Sequence, residues 1–161
     1  MNKRFRTSAW LITFFCLFGL AMSACEDDDD DLPSNEVRFQ NIALTGANER
    51  PAVTTNNSGT FNGIYNKDTK VISYVVTWTG FTATAMHFHK ADPTIAGPVV
   101  IPVAGTGTPA TYTAPITGNT RPLTEAEEAD LLNGLWYFNI HSTQYPGGEI
   151  RGQLVKKMRD Y

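Results

Sequence analysis

Histidine is scarce in this 161-residue chain, with three copies, and each falls in a run patterned as a β-strand. His87 and His89 stand two residues apart inside the run Ala83 to Lys90. On a strand such a pair projects from one face, about 6.5–7 Å apart. From there two imidazoles can reach a single ion at the usual nitrogen–metal distance of about 2.0–2.1 Å. Met86 and Phe88 take the opposite face and read as core. His141 closes an alternating run in which Trp136, Phe138 and Ile140 share one face and Tyr137, Asn139 and His141 the other. If the two histidine-bearing strands are neighbours, three imidazoles converge, and zinc or copper is the ion such donors suit. A second reading makes the histidines structural, bonded to backbone or carboxylate in a polar network with Glu49, Glu149 and Arg151. A proton-transfer role is a third. No complete catalytic constellation is legible: Ser142 follows His141 directly and so points to the other face, the wrong side for a nucleophile and its base.

The elements that must carry these residues read as strands throughout. Val37 to Leu44 is the first, with Val37, Phe39 and Asn41 expected on one face. Gly59 to Tyr65 and Val71 to Thr79 flank the turn Asn66-Lys67-Asp68-Thr69 and form a hairpin, whose second arm sets Ile72, Tyr74, Val76 and Trp78 together. Ala83 to Lys90, Pro98 to Val103 and Ala110 to Ile116 follow, each bounded by Gly or Pro. Short strands at this spacing predict an all-β, antiparallel sandwich or barrel. One helix interrupts them just before the last hairpin. Thr124 and Glu127 make a capping box, and Gly134 supplies the stop, giving roughly residues 125 to 133. The last hairpin turns at Gln144-Tyr145-Pro146-Gly147-Gly148. Its return arm, Glu149 to Val155, places Glu149 and Arg151 on one face and Ile150 on the other.

Charge narrows the partners. Residues 32 to 161 carry ten basic and ten acidic side chains, so this part lacks the basic footprint that nucleic acid requires. The N-terminal residues carry a different signal. Lys3, Arg4 and Arg6 precede an apolar stretch from Ala9 to Met22, then Ser23-Ala24, Cys25 and the acidic run Glu26 to Asp31. Basic start, short apolar core and small residues at the cut are the grammar of export. With a cysteine immediately after, the segment resembles a bacterial lipoprotein signal. That resemblance implies a signal peptide over residues 1–24, covalent lipid at Cys25 and an acidic tether to residue 36. An acidic cluster in this place also resembles the surface-export signal of lipoproteins in the Bacteroidota. It implies an outer-membrane lipoprotein displayed at the cell surface and held to the membrane by its lipid. Cys16 leaves with the signal and Cys25 is lipidated, so the folded part, residues 37–157 before a short tail at 158–161, is expected to hold no disulfide.

Within that folded part the chain resembles the CHRD domain, first described as a repeat in chordin. The pieces that match run in order: Leu44-Thr45-Gly46 with Glu49-Arg50-Pro51, Gly59-Thr60, His87-Phe88-His89, Gly97-Pro98-Val99, Tyr137 to Ser142, and Pro146 to Leu154. The resemblance implies an immunoglobulin-like β-sandwich outside the cytoplasm; with the lipid anchor, the reading is of a binding or structural module of the cell envelope whose partner, a protein or a glycan, the residues do not identify. It carries no settled activity. Chordin's growth-factor antagonism does not transfer, because it depends on cysteine-rich modules absent here. His-x-His on a sandwich strand is also similar to copper–zinc superoxide dismutase. That site needs more histidines, a bridging ligand and a disulfide-held loop, and this chain has none of these to give.

Overall fold

Alternation along each run dictates which side chains face inward, and the architecture follows from it. The computed structural model describes residues 35–156; Cys25, the signal and the acidic run lie outside the described residues. The strands are β1 (Glu36–Thr45), β2 (Ser58–Asn66), β3 (Val71–Thr79), β4 (Ala83–Lys90), β5 (Val99–Pro102), β6 (Ile116–Asn119), β7 (Trp136–Ser142) and β8 (Ile150–Gln153). Among the described residues one α-helix, α1 (Glu125–Leu132), precedes β7, and one 3-10 turn (Gly46–Asn48) follows β1. All strand pairs are antiparallel, in the order β5-β4-β7-β8-β1-β2-β3-β6. The all-β antiparallel class with one short helix is therefore as expected.

The two separate sheets of an immunoglobulin-like sandwich are not what forms. One eight-stranded sheet curls into a half-barrel instead. Its two four-stranded halves are joined at a narrow seam, where β1 and β8 share one register pair, Thr45 with Arg151. The curl brings the inner faces together. Phe61 and Tyr74 from one half lie 5.2–6.4 Å from Phe88 and Phe138 of the other, in edge-on and tilted contacts. Such offset and edge-to-face pairs add to the energy of burial. Phe39, Leu44, Ile72, Met86, Trp136, Ile140 and Ile150 complete a fully buried core.

Two local expectations fail for identifiable reasons. Asn41 does not join Val37 and Phe39 on the inner face. The register slips between Phe39 and Ile42, Asn41 takes φ 52°, and its N–H donates to Asn62 Oδ1 at 2.8 Å. This bulge inverts the parity, so that Leu44 rather than Ala43 is buried. Ala110 to Ile116 is not a strand. Thr106 and Thr111 form an isolated bridge, and regular pairing begins only at Ile116, opposite Val76. Pro109 and Pro115 withhold the donors a ladder there would need.

The helix forms as its caps dictate. Thr124 accepts from Glu127 N–H, and Glu127 accepts from Thr124 N–H. Gly134 follows at φ 73°. Leu131 sinks into the core, while Glu128 pairs with Lys70 at 2.7 Å and Asp130 with Lys90 at 2.5 Å. Those pairs tie the helix to the β2–β3 turn and to the end of β4. Every residue of β7 is buried, on both faces. Its inner face meets the core, and its outer face forms a polar layer beneath the 91–98 and 46–57 loops and the β7–β8 turn.

Candidate metal centre

That outer layer contains all three histidines. β4 and β7 are direct neighbours, with Ala85 opposite His141, His87 opposite Asn139 and His89 opposite Tyr137. Alternation keeps the three imidazoles on one face, and one nitrogen from each lies within 4.8 Å of the others. Ligands on about 2.05 Å bonds stand about 3.3 Å apart in a tetrahedron and at most about 4.2 Å apart. An edge at the 4.8 Å limit therefore has to close by about 1.5 Å to reach the tetrahedral spacing, a movement that rotation of the rings about their side-chain bonds must supply.

Backbone carbonyls set the tautomers. His141 Nδ1–H donates to Pro146 C=O at 2.9 Å and His89 Nδ1–H to Gly97 C=O at 3.0 Å. Each ring therefore presents its Nε2 lone pair. A second-shell carbonyl on the far nitrogen is the usual support of a ligating histidine. His141 Nε2 accepts from His87 Nδ1–H at 2.9 Å, whereas His89 Nε2 is buried near the Asn139 side chain without a well-formed hydrogen bond. Burial pushes all three imidazoles below their ordinary range. For His87, with the other two histidines adding repulsion, the value falls to about 4. The rings are therefore neutral at physiological pH, the form in which imidazole binds a metal. His89 and His141 are buried, and His87 is half-buried, which leaves it as the side open to an incoming ion.

The acidic and basic residues of the layer surround the histidines without bonding them. Tyr137 stacks on His89, with centroids 4.8 Å apart and planes 9° from parallel. From the other flanking strand Arg151 sets its guanidinium carbon 3.4 Å from the centre of the same ring. Arg151 also donates to Ile95 C=O at 2.8 Å and Asp92 C=O at 3.3 Å, pinning the loop that carries Gly97. Glu49 accepts from Asn139 Nδ2 at 3.4 Å. Burial raises its carboxyl to about 6 against the opposing pull of Arg151. Glu149 belongs to a separate set, accepting from Thr55 Oγ1 at 3.1 Å and from the Asn57 amide. The expected network of Glu49, Glu149 and Arg151 thus exists as two clusters. The links missed from sequence are Tyr137 and Asn139, although their shared parity with His141 was the signal that places them here.

The fold and site together define an all-β module with a histidine-bearing polar layer buried under its loops. The family model of the CHRD domain matches residues 40–154, and the chain belongs to that family. Neither a curated protein nor a solved structure matches it.

Proposed function

We propose that this chain is a lipid-anchored module of the bacterial cell envelope whose CHRD domain binds one zinc or copper ion through His87, His89 and His141. One observation carries the metal reading: three neutral imidazoles converge, two of them oriented by carbonyls, and His89 Nε2 is left buried without a well-formed hydrogen bond. Burying an acceptor lone pair without a partner costs about 1–3 kcal/mol, and a bound cation removes that cost. Three histidines leave a fourth position for water or a partner's donor. The envelope part rests on the sequence signal around Cys25.

Metal analysis of the purified full-length chain, refolded in zinc or copper(II) and desalted, should return one ion per chain. The His87→Ala/His89→Ala variant should return none. A wild-type protein that retains no ion ends the reading. The 2.9 Å contact between His87 and His141 favours a second reading, in which the histidines only hold the sheet. Under it the double variant loses stability while neither protein takes up metal.

A further inference from the structure

On the far half of the sheet the outer face is indented. Gly63, Tyr74 and Gly118 form one row across β2, β3 and β6. A Cβ at Gly118 would lie 2.5 Å from the Tyr74 hydroxyl, and one at Gly63 would meet the Phe61 ring at 2.9 Å. Those two positions leave Tyr74 the one side chain of the row, and a groove of about 610 Å³ runs along this part of the sheet, lined by residues of the opposite face. That lies within the usual range of about 300–1,000 Å³ for small-ligand sites.

The groove's lining is arranged in rows. Arg38, Ile64, Ser73 and Asn119 stand in register across β1, β2, β3 and β6, and Asn62, Val75 and Thr117 form the next row. Among the described residues no acidic side chain lines it. Among the described residues Arg38 forms no ion pair, and its Nε is buried without a hydrogen-bond partner. Asn62 spends its Oδ1 on the Asn41 bulge, which leaves its amide donors. Ile64 and Val75, the latter 42% exposed, give a small apolar floor.

We infer that this groove binds an acidic saccharide, a sugar chain bearing a carboxylate. The guanidinium of Arg38 takes the carboxylate in the forked geometry that suits it. The amides and hydroxyls of Asn62, Ser73, Thr117 and Asn119 take the sugar hydroxyls, and the Ile64–Val75 floor takes the C–H face. An acidic peptide also satisfies Arg38 and reaches the same amides and hydroxyls through its backbone, so the oligoglutamate arm of the test separates the two; the breadth of hydroxyl and amide groups across two rows favours the sugar. The inference is independent of the histidine site, which lies on the other half of the sheet.

The test is calorimetric titration of the full chain with oligogalacturonate, with a neutral galactose oligomer and with oligoglutamate. Only oligogalacturonate should bind. Arg38→Ala should weaken it at least tenfold. Asn119→Ala, at an exposed position where folding is not at stake, should weaken it severalfold. Absence of oligogalacturonate binding, equal binding of oligoglutamate, or indifference to both groove substitutions overturns the inference.

Discussion

Glu49 shows how one side chain can oppose its neighbours. It is buried beside Asn139, and its carboxyl titrates at about 6 because burial outweighs the attraction of Arg151. A raised acid binds its proton more tightly folded than unfolded. It therefore stabilises the fold below the unfolded value near 4.5, and that contribution is lost as pH rises through about 6. At neutral pH the ionised carboxylate costs about 1–2 kcal/mol. Glu49→Gln keeps an acceptor for Asn139 Nδ2 and offers a donor to Asn139 Oδ1, which is buried and unbonded. Thermal melts should show the variant more stable than wild type at pH 7.5, with the difference fading by about pH 4.5. A lower melting temperature at pH 7.5 would mean that the Arg151 attraction outweighs burial.

At the scale of elements, the β7–β8 turn is the most constrained piece. It supplies the Pro146 carbonyl that orients His141, and Gly148 stands in it at φ 130°. A Cβ there would collide with the Glu49 carboxylate and lie 2.7 Å from Asn139 Nδ2. Gly148→Ala should therefore destabilise by about 2 kcal/mol or more, since backbone strain and steric overlap act together. The loss is readable as a lower urea midpoint, and an unchanged midpoint would contradict it. Turns and strands of this kind were largely legible: Gly147-Gly148, the capping box and the alternation of β3, β4 and β7 all announce themselves. What was not legible depends on partners. Nothing local to Asn41 says that its N–H will find Asn62 across the sheet, so the parity inversion before Leu44 was invisible. Likewise Ala110 to Ile116 alternates acceptably, and although Pro109 and Pro115 weaken it as a ladder, that no strand pairs with it before Ile116 shows only in the fold. At the site, parity alone put the imidazoles on the right faces. The neighbouring of β4 and β7, the carbonyls of Gly97 and Pro146 and the stacking of Tyr137 needed the fold.

For the whole molecule, the histidines and the sheet are one cooperative system, because β7 lies in the polar layer and the core at once. The narrow β1–β8 seam means that packing between the halves, more than hydrogen bonding across them, holds the curl closed. Acid should act through the outer layer. The folded chain keeps His87 neutral down to about 4 and lowers His89 and His141, whereas unfolded histidines protonate near 6.5. Below 6.5 the unfolded state binds more protons, so stability is complete above that pH and declines toward about 4. Glu49 runs the other way between about 4.5 and 6 but is one group against three. The urea midpoint of the wild type should thus fall from pH 7 to pH 4.5, and His87→Gln/His89→Gln should flatten the fall. A bound ion steepens it, since protons and metal compete for the same nitrogens. Free zinc at a hundred times its dissociation constant should add about 2.7 kcal/mol at pH 7.5, and the gain should disappear by pH 4.5 and in the double variant. If zinc shifts wild type and variant alike, the stabilising ion sits elsewhere. If the acid slope survives the substitutions, groups other than these imidazoles carry it.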